Sequence, residues 1–256
     1  MFDAVVVTYN SAQTLKKCLE SLALQAVSKI IVVDNGSSDS SRTIAEGSPV
    51  LYVQRLDNAG FATAANQGAE LSTSPYLLFL NPDAYLAQDS LSDIETYFEQ
   101  HPDTAVIGVQ LVDEHNQPEK DNYGYEVTPW SLFTRHMYHP AQVVQPAEVD
   151  WVSGGALFIR TDIFKKINGF DPSYFLYWED VDLCRRVREQ YHQKVVFFPT
   201  VQVRHTRGAS LSNQASKTQF YDASADRYFQ KHYAAMIWIS LRIARRLYRW
   251  WQPQVR

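Results

Sequence analysis

The stretch Ala4-Val5-Val6-Val7-Thr8-Tyr9-Asn10 sets the reading of the fold. Four apolar residues run without a polar break and then end on polar groups. Such a β-branched run suits a strand buried on both faces. Working outward, the same signals repeat. Ser11 offers a side-chain cap for a helix in which Leu15, Leu19 and Leu22 share one face. Residues 29–33 (KIIVV) predict a second strand, 50–54 a third, 60–71 a helix and 76–80 (YLLFL) a fourth strand stopped by Asn81-Pro82-Asp83. A helix over 89–100 and a strand over 104–110 follow. Repeated β-α-β units with short loops predict an α/β fold with a mostly parallel central sheet and helices on both faces.

Beyond residue 112 the pattern loosens. Residues 113–150, with Pro118, Pro129, Pro140 and Pro146, read as a loop-rich insertion, either a substrate lid or a surface excursion. Strand character returns over 151–159. A helix over 180–190, strands near 194–198 and 201–205, and a helical end over 216–251 complete the reading. There is no internal repeat.

Composition narrows the function classes. The chain has 256 residues, a formal charge of −4, 45% hydrophobic and 20% charged residues. That is ordinary for a folded globular chain large enough to bury a core without staples. The mild acidity argues against nucleic acid as a partner of the whole chain. Cys18 and Cys184 are too few for a metal cage or a disulfide framework and fit a reducing cytoplasm. No basic segment leads into a long apolar stretch near Met1, and no run of about 20 apolar residues exists, so neither a signal peptide nor a spanning helix is expected.

In open α/β sheets, ligands bind outside the carboxyl ends of the strands. Four polar clusters fall there: Thr8-Tyr9-Asn10, Asp34-Asn35-Gly36, Asp57-Asn58-Ala59-Gly60 and Asn81-Pro82-Asp83. Each alone is also ordinary turn chemistry. The sequence has no GxGxxG after the first strand, no GxxxxGK[ST], no GxSxG and no HExxH.

Six motifs carry a resemblance. VVVTYN at 5–10, VVDNGSSD at 32–39, DNAGFATAANQG at 57–68, LNPDA at 80–84, WVSGGALFIR at 151–160 and GFDPSYFLYWEDVDLCRR at 169–186 resemble the inverting glycosyltransferases of family 2, on their rhamnosyltransferase-like and galactofuranosyltransferase-like branch. The resemblance implies a GT-A fold, a nucleotide-sugar donor (dTDP- or UDP-sugar) and Mg²⁺ or Mn²⁺. It implies a transferase domain over 1–227, with a nucleotide-binding part over 1–112 and an acceptor-binding part over 113–227. Asp83 and His205 would hold the metal. Asp34 would bind the base, with Thr8 and Asn10 on the same floor. Arg207, in a loop after His205, would touch the diphosphate. The family's metal motif often has two aspartates one residue apart; here the first is Asn81. Asn58 and Gly60 start a helix whose free N–H groups favour an anion, and Asn66 would face sugar or solvent.

Inversion by direct displacement needs one base for the acceptor hydroxyl, whereas a glycosidase needs two carboxylates flanking the bond. The resemblance assigns the base to Asp180. Glu179 would bind acceptor or brace the site, Trp178 would stack on an acceptor sugar or pack in the core, and Gly154 and Gly155 would let a sugar approach the backbone. Glu179, Asp180 and Asp182 are also simply favourable in a helix's first turn.

Residues 228–256 form a separate basic tail. It carries Lys231, Arg242, Arg245, Arg246, Arg249 and Arg256 and no acid, leaving about −10 on the rest. Helical spacing puts Ile237, Leu241, Ala244, Tyr248 and Trp251 on one face. That pattern suits an anionic membrane interface; packing on the domain or a dimer contact are the alternatives. The expectation is a cytoplasmic enzyme, peripheral on the inner face of the membrane. It would move L-rhamnose from dTDP-rhamnose to a lipid-linked glycan. The rivals are a sugar nucleotidyltransferase, for which TYNSAQ lacks the basic Gly-rich loop, and a non-catalytic glycan- or nucleotide-binding module.

Overall fold

A computed structural model describes residues 1–86, 91–120, 122–128, 143–206 and 214–251, the side chains of 214, 215 and 245–251 excepted. The first half follows the predicted alternation: β1 (Phe2–Thr8), α1 (Leu15–Ala23), β2 (Val27–Asp34), α2 (Ser41–Glu46), β3 (Leu51–Gln54), α3 (Phe61–Glu70) and β4 (Tyr76–Leu80). Then come β5 (Ala84–Leu86), α4 (Leu91–Gln100), β6 (Thr104–Val112), β7 (Tyr123–Gly124), β8 (Ala147–Val149), β9 (Trp151–Val152) and β10 (Ala156–Arg160). The chain continues through α5 (Thr161–Lys166), α6 (Glu179–Tyr191), β11 (Lys194–His205), α7 (Gln214–His232) and α8 (Ala235–Trp251).

The main sheet has the order β3-β2-β1-β4-β10-β6-β11-β5, and β8 also pairs with β11. β1 and β4 are buried throughout, as their unbroken apolar runs require. Alternate residues of β1 face opposite layers. Val5 and Val7 belong to the core cluster that includes the small face of α3 (Ala62, Ala65, Ala69) and buried side chains of α6 and α7. Ala4 and Val6 meet Leu15, Leu19 and Leu22 of α1 and Ile94 and Phe98 of α4. Helices therefore cover both faces of the sheet.

Several expectations change. β10 runs antiparallel to both β4 and β6. The excursion after β6 returns at the edge where β6 ends, so the re-entering strand must run the opposite way. The strand expected over 151–159 is two, β9 and β10, separated by a turn at 153–155. The strands near 194–198 and 201–205 are one strand, β11, whose pairing with β6 shifts between Phe198 and Gln202. α1 starts at Leu15 rather than on the Ser11 side chain. The Ser11 carbonyl accepts the N–H groups of Thr14 and Leu15, while its hydroxyl donates to the Tyr9 carbonyl. α2, β5 and β8 were not foreseen. The described part of 113–150 opens with a tight hairpin in which the Asp113 carboxylate accepts the N–H groups of His115 and Gln117.

The helical end breaks at Tyr233–Ala234 into α7 and α8. Leu241 is only 5% exposed and joins the core. Of the stripe expected to meet a membrane, Leu241 therefore docks on the protein while Ile237 is 41% exposed, and the side chains of Tyr248 and Trp251 lie outside the described residues. Among the described residues of α8, Met236 (82%), Ile239 and Ile243 (54%) are also exposed. Among the described residues, no helix is long and apolar enough to cross a membrane.

Candidate active site

The sheet register brings the predicted polar strand ends together. Thr8 pairs with Asp34 and Asp34 with Gln54, so the ends of β1, β2 and β3 lie side by side. Asp34 is buried. Its Oδ1 accepts the Ser37 N–H at 2.8 Å and its Oδ2 accepts the Tyr52 hydroxyl at 2.9 Å. Burial, then Asp34, pushes the Tyr52 hydroxyl up to about 12. Asn10 sits at φ 51° and its Oδ1 accepts the Ser38 N–H. Thr8 Oγ1 is buried and has no partner among the described residues, the condition of a group that awaits a ligand or water.

Asn35, which the sequence reading left in its motif without a role, ties the edge together. Its Nδ2 donates to Asn58 Oδ1 and to the Gly60 carbonyl, and its Oδ1 accepts the Ala59 N–H. Gly60 has φ +84°, and a Cβ there would stand 2.5 Å from the Phe175 carbonyl oxygen. Only glycine fits that combination. The next residue, Phe61, donates its N–H to the same oxygen, so the start of α3 is joined to the segment leading into α6.

Asn66 is half-buried. Its carboxamide is paired in both directions with Phe170, Nδ2 donating to the carbonyl and Oδ1 accepting the N–H. It fastens the approach to α6 onto α3.

That approach ends in a tense corner. Tyr177 and Trp178 have φ 68° and 69°, a left-handed conformation unusual for aromatic residues. Trp178 is buried against Tyr221, Tyr228 and Phe229 of α7. It is a core residue and offers no face for an acceptor sugar. Directly after the corner come Glu179 and Asp180. Glu179 is buried, and its Oε2 has no partner among the described residues. Burial, then the charge of Asp180, holds its carboxyl well above the ordinary range. Asp180 is partly exposed. Burial raises its carboxyl too, against hydrogen bonds from the N–H groups of Gly154 and Val181.

The Gly154 N–H donates to Asp180 Oδ2 at 2.7 Å. The Gly155 carbonyl accepts the Asn81 N–H at 3.0 Å, and a Cβ at Gly155 would stand 2.7 Å from Leu111 Cδ1. The small residues of this turn thus answer first to α6, β4 and β6. From Asn81 the connection continues: Nδ2 lies 3.4 Å from His205 Nε2, which lies 3.1 Å from Asp83 Oδ1. His205 Nδ1 lies 3.2 Å from Glu119 Oε1. β5 and β11 make this meeting, since Ala84 pairs with His205. Burial works to lower the His205 pKa, but its hydrogen bonds to Asp83 and Glu119 outweigh that and push it up to about 9. Asp180, Gly154, Gly155, Asn81, His205 and Asp83 therefore form one continuous line of contacts. Glu119 was missed because it lies in the stretch without periodicity. Arg207 lies outside the described residues.

The pair Asp83–His205 can be tested against a divalent ion. Ligands about 2.1 Å from an octahedral ion stand about 3.0 Å apart along an edge, and the observed separation is 3.1 Å. A ring nitrogen turned toward the ion while the other is held by a carboxylate is the usual arrangement of a metal-binding histidine. Among the described residues, no group of three or more His, Cys, Asp or Glu side chains is arranged to hold a metal. The pair fits an ion that keeps water or phosphate in its other positions.

Comparison with known proteins identifies the family. The description Glycosyl transferase family 2 matches residues 3–167, more than half of the chain. The chain belongs to glycosyl transferase family 2. Within the family it is 25% identical over 245 residues to the N-acetylglucosaminyl-diphospho-decaprenol L-rhamnosyltransferase of Mycobacterium tuberculosis, covering 82% of this chain and 77% of that one. It is 23% identical to the low-salt glycan biosynthesis hexosyltransferase Agl10 of Haloferax volcanii over 73% of this chain, and spans 61% of that relative's length. A solved structure of GalNAc-T7 with UDP, GalNAc and Mn²⁺ superposes with a TM-score of 0.62 at 16% identity, covering 80% of this chain and 43% of that one. The fold is the GT-A glycosyltransferase fold, with the strand ends of the family 2 motifs along one edge.

Proposed function

We propose that this chain is a metal-dependent inverting glycosyltransferase that moves L-rhamnose from dTDP-rhamnose to a lipid-linked glycan during cell-surface polysaccharide synthesis. The observation that carries the reading is the unbroken line from the Asp180 carboxylate through Gly154, Gly155 and Asn81 to His205 and Asp83. It puts a candidate base and a candidate cation site at two ends of one short path. The name of the mycobacterial relative, which specifies rhamnose and a diphospho-decaprenol acceptor, supports the sugar and the acceptor class. The Mn²⁺ and UDP bound by the structural neighbour support a metal and a nucleotide diphosphate.

In this reading Asp34, Thr8 and Asn10 form the floor for the nucleoside, and Asn58 and Gly60 present the start of α3 toward the donor. Arg207 would serve the diphosphate. Asp83 and His205 would hold Mg²⁺ or Mn²⁺, which neutralises charge on the departing diphosphate. The acceptor oxygen attacks the anomeric carbon as the bond to the diphosphate oxygen breaks, inverting that centre. The hydroxyl proton passes to the Asp180 carboxylate. Glu179, whose carboxyl is raised by burial and by its neighbour's charge, would brace the site or bind the acceptor. Residues 1–112 would serve the donor and 113–227 the acceptor. Residues 228–256, with their cations and the exposed Met236, Ile239 and Ile243, would rest on the anionic cytoplasmic face of a membrane.

A panel of nucleotide sugars, assayed with and without Mn²⁺ against a diphospholipid-linked N-acetylglucosamine acceptor, tests the reading. Turnover of dTDP-rhamnose that stops on chelation is expected. Release of pyrophosphate from a nucleoside triphosphate and sugar 1-phosphate, without glycosyl transfer, would replace it with a nucleotidyltransferase.

A further inference from the structure

We propose that Glu119 is the positioning residue for His205. It would hold the imidazole by Nδ1 so that Nε2 presents its lone pair beside Asp83. This rests on reading Asp83 and His205 as the metal pair. Both ring nitrogens face a carboxylate: Nδ1 faces Glu119 Oε1 at 3.2 Å, and Nε2 faces Asp83 Oδ1 at 3.1 Å with Asn81 Nδ2 at 3.4 Å. A divalent ion beside Asp83 would take the place of a proton on Nε2, and the neutral imidazole would keep one proton. Glu119 would accept the hydrogen bond of that proton at Nδ1 and leave the Nε2 lone pair to the ion. The side chains of Glu119, His205 and Asp83 are all largely removed from solvent, so these contacts are little weakened by water.

Glu119 is held in place by its backbone. The hairpin that follows β6 closes with the Asp113 N–H donating to the Gln117 carbonyl and with a bridge between Val112 and Pro118. The Glu119 N–H then donates to the Leu111 carbonyl, and Asn122 Nδ2 donates to the Glu119 carbonyl. Val112 pairs with Arg204 in the sheet, so a side chain leaving this hairpin arrives beside His205. The position is therefore fixed by the end of β6 and does not depend on a bound ligand.

The test is Mn²⁺ binding by the full chain at saturating dTDP, read from the electron paramagnetic resonance signal of free Mn²⁺. Glu119→Ala should weaken Mn²⁺ binding by about 10–100-fold. Glu119→Gln keeps an acceptor oxygen for Nδ1–H and should recover most of the affinity, which a role limited to balancing charge would not allow. Should Glu119→Ala fail to fold, Glu119→Leu, which keeps the aliphatic stem but offers Nδ1–H no acceptor, takes its place: the same loss of Mn²⁺ affinity supports the proposal and wild-type affinity overturns it. Wild-type affinity in a folded Glu119→Ala, with binding lost in His205→Ala, would remove the proposal and leave the metal pair standing. Absence of Mn²⁺ binding by the wild-type chain would remove both.

Discussion

Tyr177 and Trp178 hold left-handed backbone angles immediately before Glu179 and Asp180. Each such residue costs about 1–3 kcal/mol and persists only where its surroundings insist on it. Here the insistence comes from the aromatic packing of Trp178 on α7 and from the link between Phe175 and the start of α3. Gly60→Ala attacks that link, since its Cβ would meet the Phe175 carbonyl at 2.5 Å with φ at +84°. It should lower stability by about 1–3 kcal/mol, seen as an earlier urea midpoint, and should reduce turnover as the corner shifts. Asp180→Asn should behave differently. An amide oxygen can still accept the Gly154 N–H, so the fold should stand while kcat falls by about 10²–10⁴-fold. Because burial raises the Asp180 carboxyl, the acid limb of kcat/KM should lie above the ordinary aspartate value of 3.8. The motifs single out Asp83 and Asp180 in the sequence because their neighbours in the chain define them. The pairing of Asn66 with Phe170 and the packing of Trp178 on Tyr228 were not legible, because these partners are remote in sequence and no local pattern announces them.

The elements α6 and α7 meet over a buried carboxylate. Asp182 accepts from His232 Nε2 at 2.7 Å, Arg186 Nε at 2.7 Å and Lys231 Nζ at 2.8 Å. Asp182 thus clamps α7 to the helix that carries Glu179 and Asp180. Asp182→Ala leaves His232, Arg186 and Lys231 without their common partner and should cost about 3–5 kcal/mol, measured by urea denaturation at pH 7. Burial would raise the Asp182 carboxyl, but His232, Arg186 and Lys231 hold it well below the usual carboxylate range. A depressed pKa adds stability that is complete above the unfolded value of 3.8 and is lost as the pH falls below it. The urea midpoint of the wild-type chain should therefore drop more steeply below pH 4 than that of Asp182→Asn. The pairing of Asp182 with Arg186 is local, four residues apart on one helix face. The sequence could not show Lys231 and His232, which depend on how α7 folds back.

At the scale of the whole molecule, the C-terminal end combines cations with exposed apolar side chains. The cations beyond Asp226 were plain in the sequence. Which stripe of α8 stays outside was not, because it is decided by the docking of Leu241 onto the core. Met236→Asp with Ile243→Asp alters only exposed positions and should leave stability nearly unchanged. It should abolish pelleting with phosphatidylglycerol vesicles, whereas Leu241→Ala should destabilise the chain. Undiminished pelleting of the double variant would rule out this stripe as the lipid contact. The same limit applied to the sheet. Its parallel half was legible from buried runs such as Val5–Val7, but the reversal of β10 followed from an excursion with no periodicity to read.

The shifted pairing within β11 has a consequence for descent with modification. Phe198 lies opposite Val109 and Gln202 opposite Gln110, so Pro199, Thr200 and Val201 have no partner in β6. Upstream of that slack the strand is measured against β8, and downstream against β5, where His205 lies across from Ala84. A residue gained or lost within 199–201 can be absorbed without moving the imidazole. One lost between Gln202 and His205 would turn His205 to the opposite face of the sheet. Length variation in this strand therefore belongs at the slack, and the four residues after it are where natural chains should keep count.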